Sequence, residues 1–311
     1  MDELKLAGGL ILLILSGNFL VKGSVSIASK LKVSTLIIGM TIVAFGTSAP
    51  ELLVSLKAAL INNSEIAISN VVGSNIANIA FILGISAIIY PLQISKNTKK
   101  IDVPIMIIAS FLFYFASQDG NINAIEGITG IILLIIFIII QIQTSGTVEQ
   151  VKEEVDSKTY PVLISILMIV LSCFGLTYGA DYLIDGASAI ALKSGISQRV
   201  IGVTIVAFGT SLPELITSII AAFKKEADIA IGNVVGSNIF NIFGIIGISS
   251  TVSPISMDWS IFRSDYIWMC VIATILFIFT TAAKKPVLGR AYGLMFIILY
   301  LVYIAMLVFT H

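Results

Sequence analysis

Glu51 and Glu214 stand in two nearly identical apolar segments, GMTIVAFGTSAPELLVS (residues 39–55) and GVTIVAFGTSLPELITS (residues 202–218). A carboxylate placed in lipid-compatible sequence is costly unless it meets a partner, so two at matching places point to a shared cationic ligand. Pro50 and Pro213 lack the N–H that a helix would use there, which frees carbonyls near Gly46–Thr47 and Gly209–Thr210 for donors, water or cations. Thr47 and Glu51 are four residues apart, as are Thr210 and Glu214, so their oxygens share a helix face if the helical path persists. A second repeated run, NVVGSNIAN (70–78) and NVVGSNIFN (233–241), adds Ser74 with Asn78 and Ser237 with Asn241 at the same spacing. The inventory is oxygen throughout, with no thiolate or imidazole at hand, and suits hard cations such as Ca²⁺ and Na⁺ better than zinc or copper. The paired charge of two carboxylates balances one Ca²⁺, and without an ion the two would repel in a poorly solvated place.

These residues need helices that cross a membrane to hold them. Of 311 residues, 57% are apolar and 12% charged, and the mean hydropathy is +1.04, well outside the soluble globular range. The expected fold is an all-α integral membrane protein. Apolar runs of spanning length fall near residues 5–29, 35–61, 66–91, 102–118, 123–144, 160–183, 197–223, 228–254, 264–282 and 290–309, giving ten transmembrane helices. Formal net charge is zero, so only its placement informs. Lys30, Lys32, Lys96, Lys99, Lys100, Lys152, Lys158, Lys224, Lys225, Lys284, Lys285 and Arg290 fall on one side of the ten-helix arrangement. Lys5, Lys57, Lys193, Arg199 and Arg263 fall on the other. The positive-inside rule makes the richer side cytoplasmic and puts both termini outside a multi-pass protein of the cell membrane. Cys173 and Cys270 both lie in expected spans, where they act as small apolar residues rather than as a disulfide framework. The N-terminal run MDELKLAGG begins with acids and leads into an apolar stretch too long for a signal peptide, so it reads as a retained first helix.

Residues 38–86 and 201–249 align without a gap at an offset of 163, with roughly two-thirds of positions identical. The offset extends upstream, pairing Asn18 with Asp181, Gly23 with Gly186, Lys30 with Lys193 and Ser34 with Ser197. An odd number of helices per half turns the second copy over, which predicts two inverted five-helix repeats, 1–143 and 160–311, with broken helices and the ion site at the midplane. The polar stretch 144–159 between them reads as a solvated cytoplasmic linker. Lys22 and Asp185 occupy similar places in the two copies, yet inversion sends them to opposite ends of the membrane, each to its own interface.

The paired blocks GTSAPE…NVVGSNIANI and GTSLPE…NVVGSNIFNI resemble the two alpha-repeats of the calcium/cation antiporter superfamily in its sodium/calcium exchanger branch. The resemblance covers essentially the whole chain and rests on two long motifs, each present twice. It implies that Glu51 and Glu214 bind both Ca²⁺ and Na⁺, that Thr47, Ser48, Ser74, Thr210, Ser211 and Ser237 supply oxygens, and that the Ala44 and Ala207 carbonyls complete outlying Na⁺ sites. Asn78 and Asn241 would line the centre. The family's usual exchange of three Na⁺ for one Ca²⁺ is electrogenic, and the ions are transported substrates, with no cofactor. Potassium-dependent exchangers and some prokaryotic sodium/calcium exchangers carry an acid where Asn241 stands, so Asn241 argues against potassium co-transport. Proton/calcium exchangers typically have a Gly-Asn-Ala run before the acid and a histidine beside the second; here the run is Gly-Thr-Ser-x-Pro-Glu and the only histidine is His311.

An intramembrane enzyme would need H-E-x-x-H or a histidine at membrane depth, and neither is present, so no enzymatic activity is expected. A calcium channel with acidic side chains remains a separate alternative, distinguished by flux without a counter-ion. The expected partners are Ca²⁺, Na⁺ and the lipid bilayer, with no nucleic acid and no obligate protein partner. The first and sixth helices are rich in small residues, Gly8, Gly9, Gly17, Gly23, Gly175, Gly179 and Gly186, and the family resemblance implies that this pair slides across the ion-binding core.

Overall fold

The computed structural model describes residues 2–61, 63–144, 159–195, 207–282 and 286–310. The 144–159 linker beyond Thr144 and before Thr159, Ser197, Arg199, the start of the seventh expected span, Lys284, Lys285 and the chain ends Met1 and His311 lie outside the described residues. Within them the protein is helical: α1 (Asp2–Leu31), α2 (Thr35–Thr47), α3 (Ala49–Leu60), α4 (Ser64–Ile89), α5 (Val103–Ala116), α6 (Ala124–Thr144), α7 (Val162–Lys193), α8 (Ala207–Gly209), α9 (Leu212–Phe223), α10 (Ala227–Val252), α11 (Trp259–Ala282) and α12 (Arg290–Thr310). Seven of these are long and apolar enough to cross a membrane, or eight when the bent pair α2–α3 counts as one. The short α5 is preceded by a π-helical turn, Thr98–Asp102, and α9 is a shorter helix of 12 residues, mostly apolar but carrying Glu214 in its first turn.

Several expected limits shift. The apolar stretch of the sixth expected span ends at 183, but α7 continues to Lys193, so Asp185 rides on the helix; α11 starts at Trp259 rather than 264 and carries Arg263. Polar residues lengthen these helices because the backbone bonds continue past the apolar stretch into the interface.

Two helices form the centre. The apolar window of α10 is buried throughout and that of α4 largely so, whereas α1, α6, α7 and α12 turn most of theirs outward. Backbone-to-backbone approach makes this density possible: a Cβ added to Gly236 on α10 would stand 2.5 Å from the Met40 carbonyl on α2, and one on Gly39 would stand 3.2 Å from Gly232 Cα. Such small-residue crossings are how helices associate where no hydrophobic force separates protein from lipid.

Four two-residue strands tie the ends of the helices together. β1 (Leu92–Gln93) pairs antiparallel with β4 (Val287–Leu288), and β2 (Asn121–Ile122) pairs with β3 (Ile255–Ser256). At the 163-residue offset β1 corresponds to β3: β1 follows α4 and pairs with the loop after α11, and β3 follows α10 and pairs with the loop after α5.

The helices α1 and α7 lie against each other as an antiparallel pair. Gly9 meets Leu183 and Gly179, Gly23 meets Ser165, and Gly186 meets Leu6 and Asp2. Their glycines therefore mostly fasten the pair together; of those on α1, Gly17 faces the core, against Ile216 and Ile220 of α9, while Gly8 has no neighbour within 4 Å. At one end Lys5 pairs with Asp185 at 3.5 Å and Lys193 with Asp2; Lys22 is near the other end, where Tyr160 N–H donates to Ser26 Oγ at 2.8 Å.

Overpacking this seam costs about 1–3 kcal/mol in typical cores. Gly9→Val, whose Cβ would stand 2.5 Å from the Leu183 nitrogen, is expected to lower the melting temperature of the purified protein by several degrees. Gly8→Val serves as the control and is expected to leave it unchanged. Equal melting curves for both variants would refute the close α1–α7 packing.

Candidate cation-binding site

Around Ser48 and Ser211 the described backbone is built the same way. Ser48 (φ −86°, ψ 8°) separates α2 from α3, and Ser211 (φ −89°, ψ 5°) precedes α9, each followed by a proline in the first turn. The missing proline N–H ends one segment, and the serine's bridge-region backbone lets the next set off in a new direction. Between α2 and α3 the bend is 47°.

Each break places its glutamate in the first turn of a half-helix, where the helix dipole favours a negative charge. Glu51 and Glu214 are each 1% exposed. The serine that anchors each one comes from the opposite repeat: Ser48 Oγ donates to Glu214 Oε1 at 2.7 Å, and Ser211 Oγ donates to Glu51 Oε1 at 3.3 Å. Ser48 Oγ is also 3.0 Å from Ser237 Oγ, and Ser211 Oγ is 3.2 Å from Ser74 Oγ. Since one hydroxyl proton serves one acceptor, Ser74 and Ser237 donate in those contacts when the carboxylates are ionised.

Around this runs a second ring of bonds. Thr47 Oγ1 donates to Asn233 Oδ1 at 3.0 Å, and Thr210 Oγ1 to Asn70 Oδ1 at 3.2 Å. Asn70 Nδ2 donates to the Glu51 carbonyl (3.2 Å) and Ser55 Oγ (2.9 Å); Asn233 Nδ2 donates to the Glu214 carbonyl (3.3 Å) and Ser218 Oγ (2.9 Å). Every bond has its counterpart 163 residues away.

The expected sharing of one helix face by Thr47 and Glu51 needs correction. The break at Ser48 ends the α-helical path between them, so Thr47 bonds to Asn233 of the opposite repeat while Glu51 receives Ser211. The Ala44 carbonyl accepts the Ser48 N–H at 3.0 Å and lies 3.3 Å from Thr47 Oγ1; Ala207 opens the described part of α8. Asn78 and Asn241 are both buried, at the head of π-helical turns Asn78–Leu83 and Phe240–Ile246 that loosen α4 and α10. Here the two halves differ: Asn241 Nδ2 donates to Asn75 Oδ1 at 3.1 Å, whereas Asn238 Nδ2 turns to the Val234 carbonyl at 2.7 Å.

Asn70, Asn233, Ser55 and Ser218 are the residues that sequence reasoning did not place at the site. Their signal was present as repeated polar positions in apolar helices, but the choice between tying helices and meeting an ion needed their partners. The two asparagines clamp the carbonyl of each glutamate and so fix where its side chain starts, and Ser55 and Ser218 accept the second bond of each asparagine amide.

Among the described residues nine buried side-chain polar atoms have no hydrogen-bond partner, and four of them belong to the residues gathered here: Glu51 Oε2, Glu214 Oε2, Asn78 Oδ1 and Asn241 Oδ1. Among the described residues neither glutamate forms an ion pair. Orphaned acceptors with no nearby base call for a cation, and carboxylate plus amide oxygens are what a hard cation takes.

The surroundings lack the symmetry of the centre. On one side α1 closes on α9, with Lys224 Nζ donating to the Asn18 carbonyl at 3.1 Å. Where α7 would make the matching contact with α3, there is instead a crevice of about 900 Å³ whose walls include Ala49 and Leu53 of α3, Gly236 of α10, and Cys173, Thr177 and Asp181 of α7.

Residues 4–143 and 164–309 match the family described as sodium/calcium exchanger protein. An uncharacterized membrane protein of Methanocaldococcus jannaschii is 37% identical over 301 residues, covering 96% of this chain and 95% of its own. The sodium/calcium exchanger MaX1 of Methanosarcina acetivorans is 32% identical over 342 residues, covering 96% of each. A solved structure of the sodium-calcium exchanger NCX_Mj superposes with a TM-score of 0.86 at 34% identity, covering 98% of this chain and 97% of that one. The chain belongs to the sodium/calcium exchanger family of multi-pass membrane transporters.

Proposed function

We propose that the protein is a secondary active antiporter exchanging Na⁺ for Ca²⁺ across the cell membrane by alternating access. The observation that carries this reading is the set of four buried, unpartnered acceptor oxygens on Glu51, Glu214, Asn78 and Asn241. Together with the hydroxyls of Thr47, Ser48, Ser74, Thr210, Ser211 and Ser237 and the carbonyls of Ala44 and Ala207, they supply the oxygen ligands that Ca²⁺ and Na⁺ take as transported substrates. Two carboxylates match one Ca²⁺ in charge, and they resist burial with no ion present. That penalty couples the fluxes, because only a loaded site closes readily.

The architecture in this reading is ten spans in two inverted repeats, 1–143 and 160–311, joined by a cytoplasmic linker at 144–159, with both termini outside. The strand pairings favour inversion: a loop after the third span in one half can pair with a loop after the fourth span in the other only if both lie on the same membrane face. The closed α1–α9 contact and the open α7–α3 crevice are then one of two states, and movement of the α1–α7 pair over the core exchanges them. Asn241 leaves two formal charges at the centre, favouring potassium-independent exchange, and three Na⁺ against one Ca²⁺ makes the exchange electrogenic. The relatives named above as sodium/calcium exchangers favour the same ion pair.

In proteoliposomes an outward Na⁺ gradient is expected to drive Ca²⁺ uptake, while K⁺ and pH gradients alone do not; Ca²⁺ flux without any counter-ion would indicate a channel. Glu51→Gln and Glu214→Gln are each expected to weaken apparent Ca²⁺ affinity by about 100-fold or more, in line with the roughly 3–5 kcal/mol lost when a buried charge pair is broken. Normal uptake by either variant would refute the site.

Asn70→Ala and Asn233→Ala remove the clamps on the glutamate carbonyls. They are expected to reduce Ca²⁺ affinity by about 10–100-fold, as outer-shell changes do, read as a weaker Ca²⁺-dependent rise in melting temperature. Wild-type Ca²⁺ stabilisation in both would show that the asparagines only join helices.

A further inference from the structure

Asp181 is the one ionisable carboxylate on the walls of the crevice, and the central site does not use it. It is exposed, on the α7 wall, beside Thr177 and Tyr178, in surroundings that are otherwise mostly apolar. Lys5 pairs with Asp185 rather than with Asp181, and none of the ion pairs or hydrogen bonds among the described residues includes Asp181. Its neighbour one turn on, Asp185, adds charge of the same sign. An ionisable group within a transmembrane helix faces a water-filled cavity or a functional pathway when no base balances it.

The depth of Asp181 on the helix is informative. A Cβ on Gly46 would run into Cys173 Sγ, and one on Gly209 into the Ile184 side chain, so Cys173 and Ile184 mark where α7 passes the two broken segments. Asp181 lies between them, about 12 Å along the axis from Cys173 and about 4.5 Å from Ile184 at 1.5 Å per residue. The crevice that it faces is also lined by Gly46, Ala49 and Gly236, which adjoin Ser48, Glu51 and Ser237. The open space thus connects Asp181 to α3, which carries Glu51, and to the stretch of α10 beside Ser237.

The corresponding place on α1 has the opposite character. Asn18, 163 residues earlier, is neutral; its carbonyl accepts from Lys224 Nζ, and Lys22 follows one turn later. One approach to the site therefore has a carboxylate at the depth of the broken helices, and the other has two lysines.

Accepting the antiport reading, we propose that Asp181 is a staging site for hard cations: Ca²⁺ or Na⁺ arriving through the crevice binds this carboxylate before passing to Glu51 and Glu214. It acts from one side of the membrane only. The two faces of the transporter consequently differ in the ion concentration at which they half-saturate, although the central ligands are nearly symmetric.

The test uses everted and right-side-out vesicles from cells expressing the full chain, with vesicles from non-expressing cells as background. Asp181→Asn is expected to raise the apparent KM for Ca²⁺ about threefold to tenfold from the side on which the crevice opens. The KM from the other side should stay unchanged. Added choline chloride should narrow the difference by screening, and Asp181→Glu should restore the wild-type value. An unchanged KM from both sides overturns the proposal, as does an equal loss of rate from both sides, which marks a structural role. Failure of the wild-type protein to exchange Na⁺ for Ca²⁺ would instead overturn the antiport reading.

Discussion

Two carboxylates buried about as deeply as any leucine of the core are the constraint on which the rest of this structure depends. Each is held by one oxygen through a serine of the opposite repeat, and each keeps its other oxygen without a protein partner. Satisfying both oxygens with lysine or arginine would have made a stable ion pair and left nothing for a cation to do. Leaving both unsupported would have neutralised the acids. Half-satisfaction keeps the groups in place while preserving their demand for charge. The proline breaks, the glycine crossings at Gly39 and Gly236, and the asparagine clamps all serve that arrangement, because the serine and the glutamate it meets lie more than 150 residues apart in the chain.

Near-symmetry at the centre and its absence outside have different physical origins. The hydrogen bonds around Glu51 and Glu214 arise from nearly identical sequence and repeat almost bond for bond. The helix pair α1–α7 has no such obligation to both halves at once. It packs closely on itself and can rest against only one flank of the core, so Gly17 finds Ile216 and Ile220 while Leu53 of α3 faces open space. A tightly packed pair lying across a near-symmetric core gives an arrangement that is itself asymmetric.

Much of this was legible in the sequence because residues 38–86 and 201–249 still align without a gap. The two aligned motifs pointed to Glu51, Glu214, Thr47, Thr210, Ser74, Ser237, Asn78 and Asn241, the family resemblance added Ser48, Ser211 and the Ala44 and Ala207 carbonyls, and the breaks at Pro50 and Pro213 followed from the missing N–H. The pairing of residues was not legible. Four-residue spacing suggested Thr47 beside Glu51 on one helix, but a backbone bend redirects a side chain in a way that spacing cannot express, and the actual bonds cross between repeats. The roles of Asn70 and Asn233 were ambiguous for a related reason: an asparagine carries both donor and acceptor, and its function depends on which neighbour each end finds. Helix limits erred where polar residues continued α7 to Lys193 and began α11 at Trp259, since hydropathy marks the apolar layer rather than the end of the backbone ladder.

The short strands carry a consequence for how the protein is made. β1 has no partner until β4 is synthesised, and β2 none until β3; likewise Glu51 lacks its serine until Ser211 emerges. The first half therefore enters the membrane with an unanswered carboxylate and two unpaired edges, and it cannot reach its final form by itself. The site and both strand pairs are complete only when the segments carrying Ser211, β3 and β4 are in place.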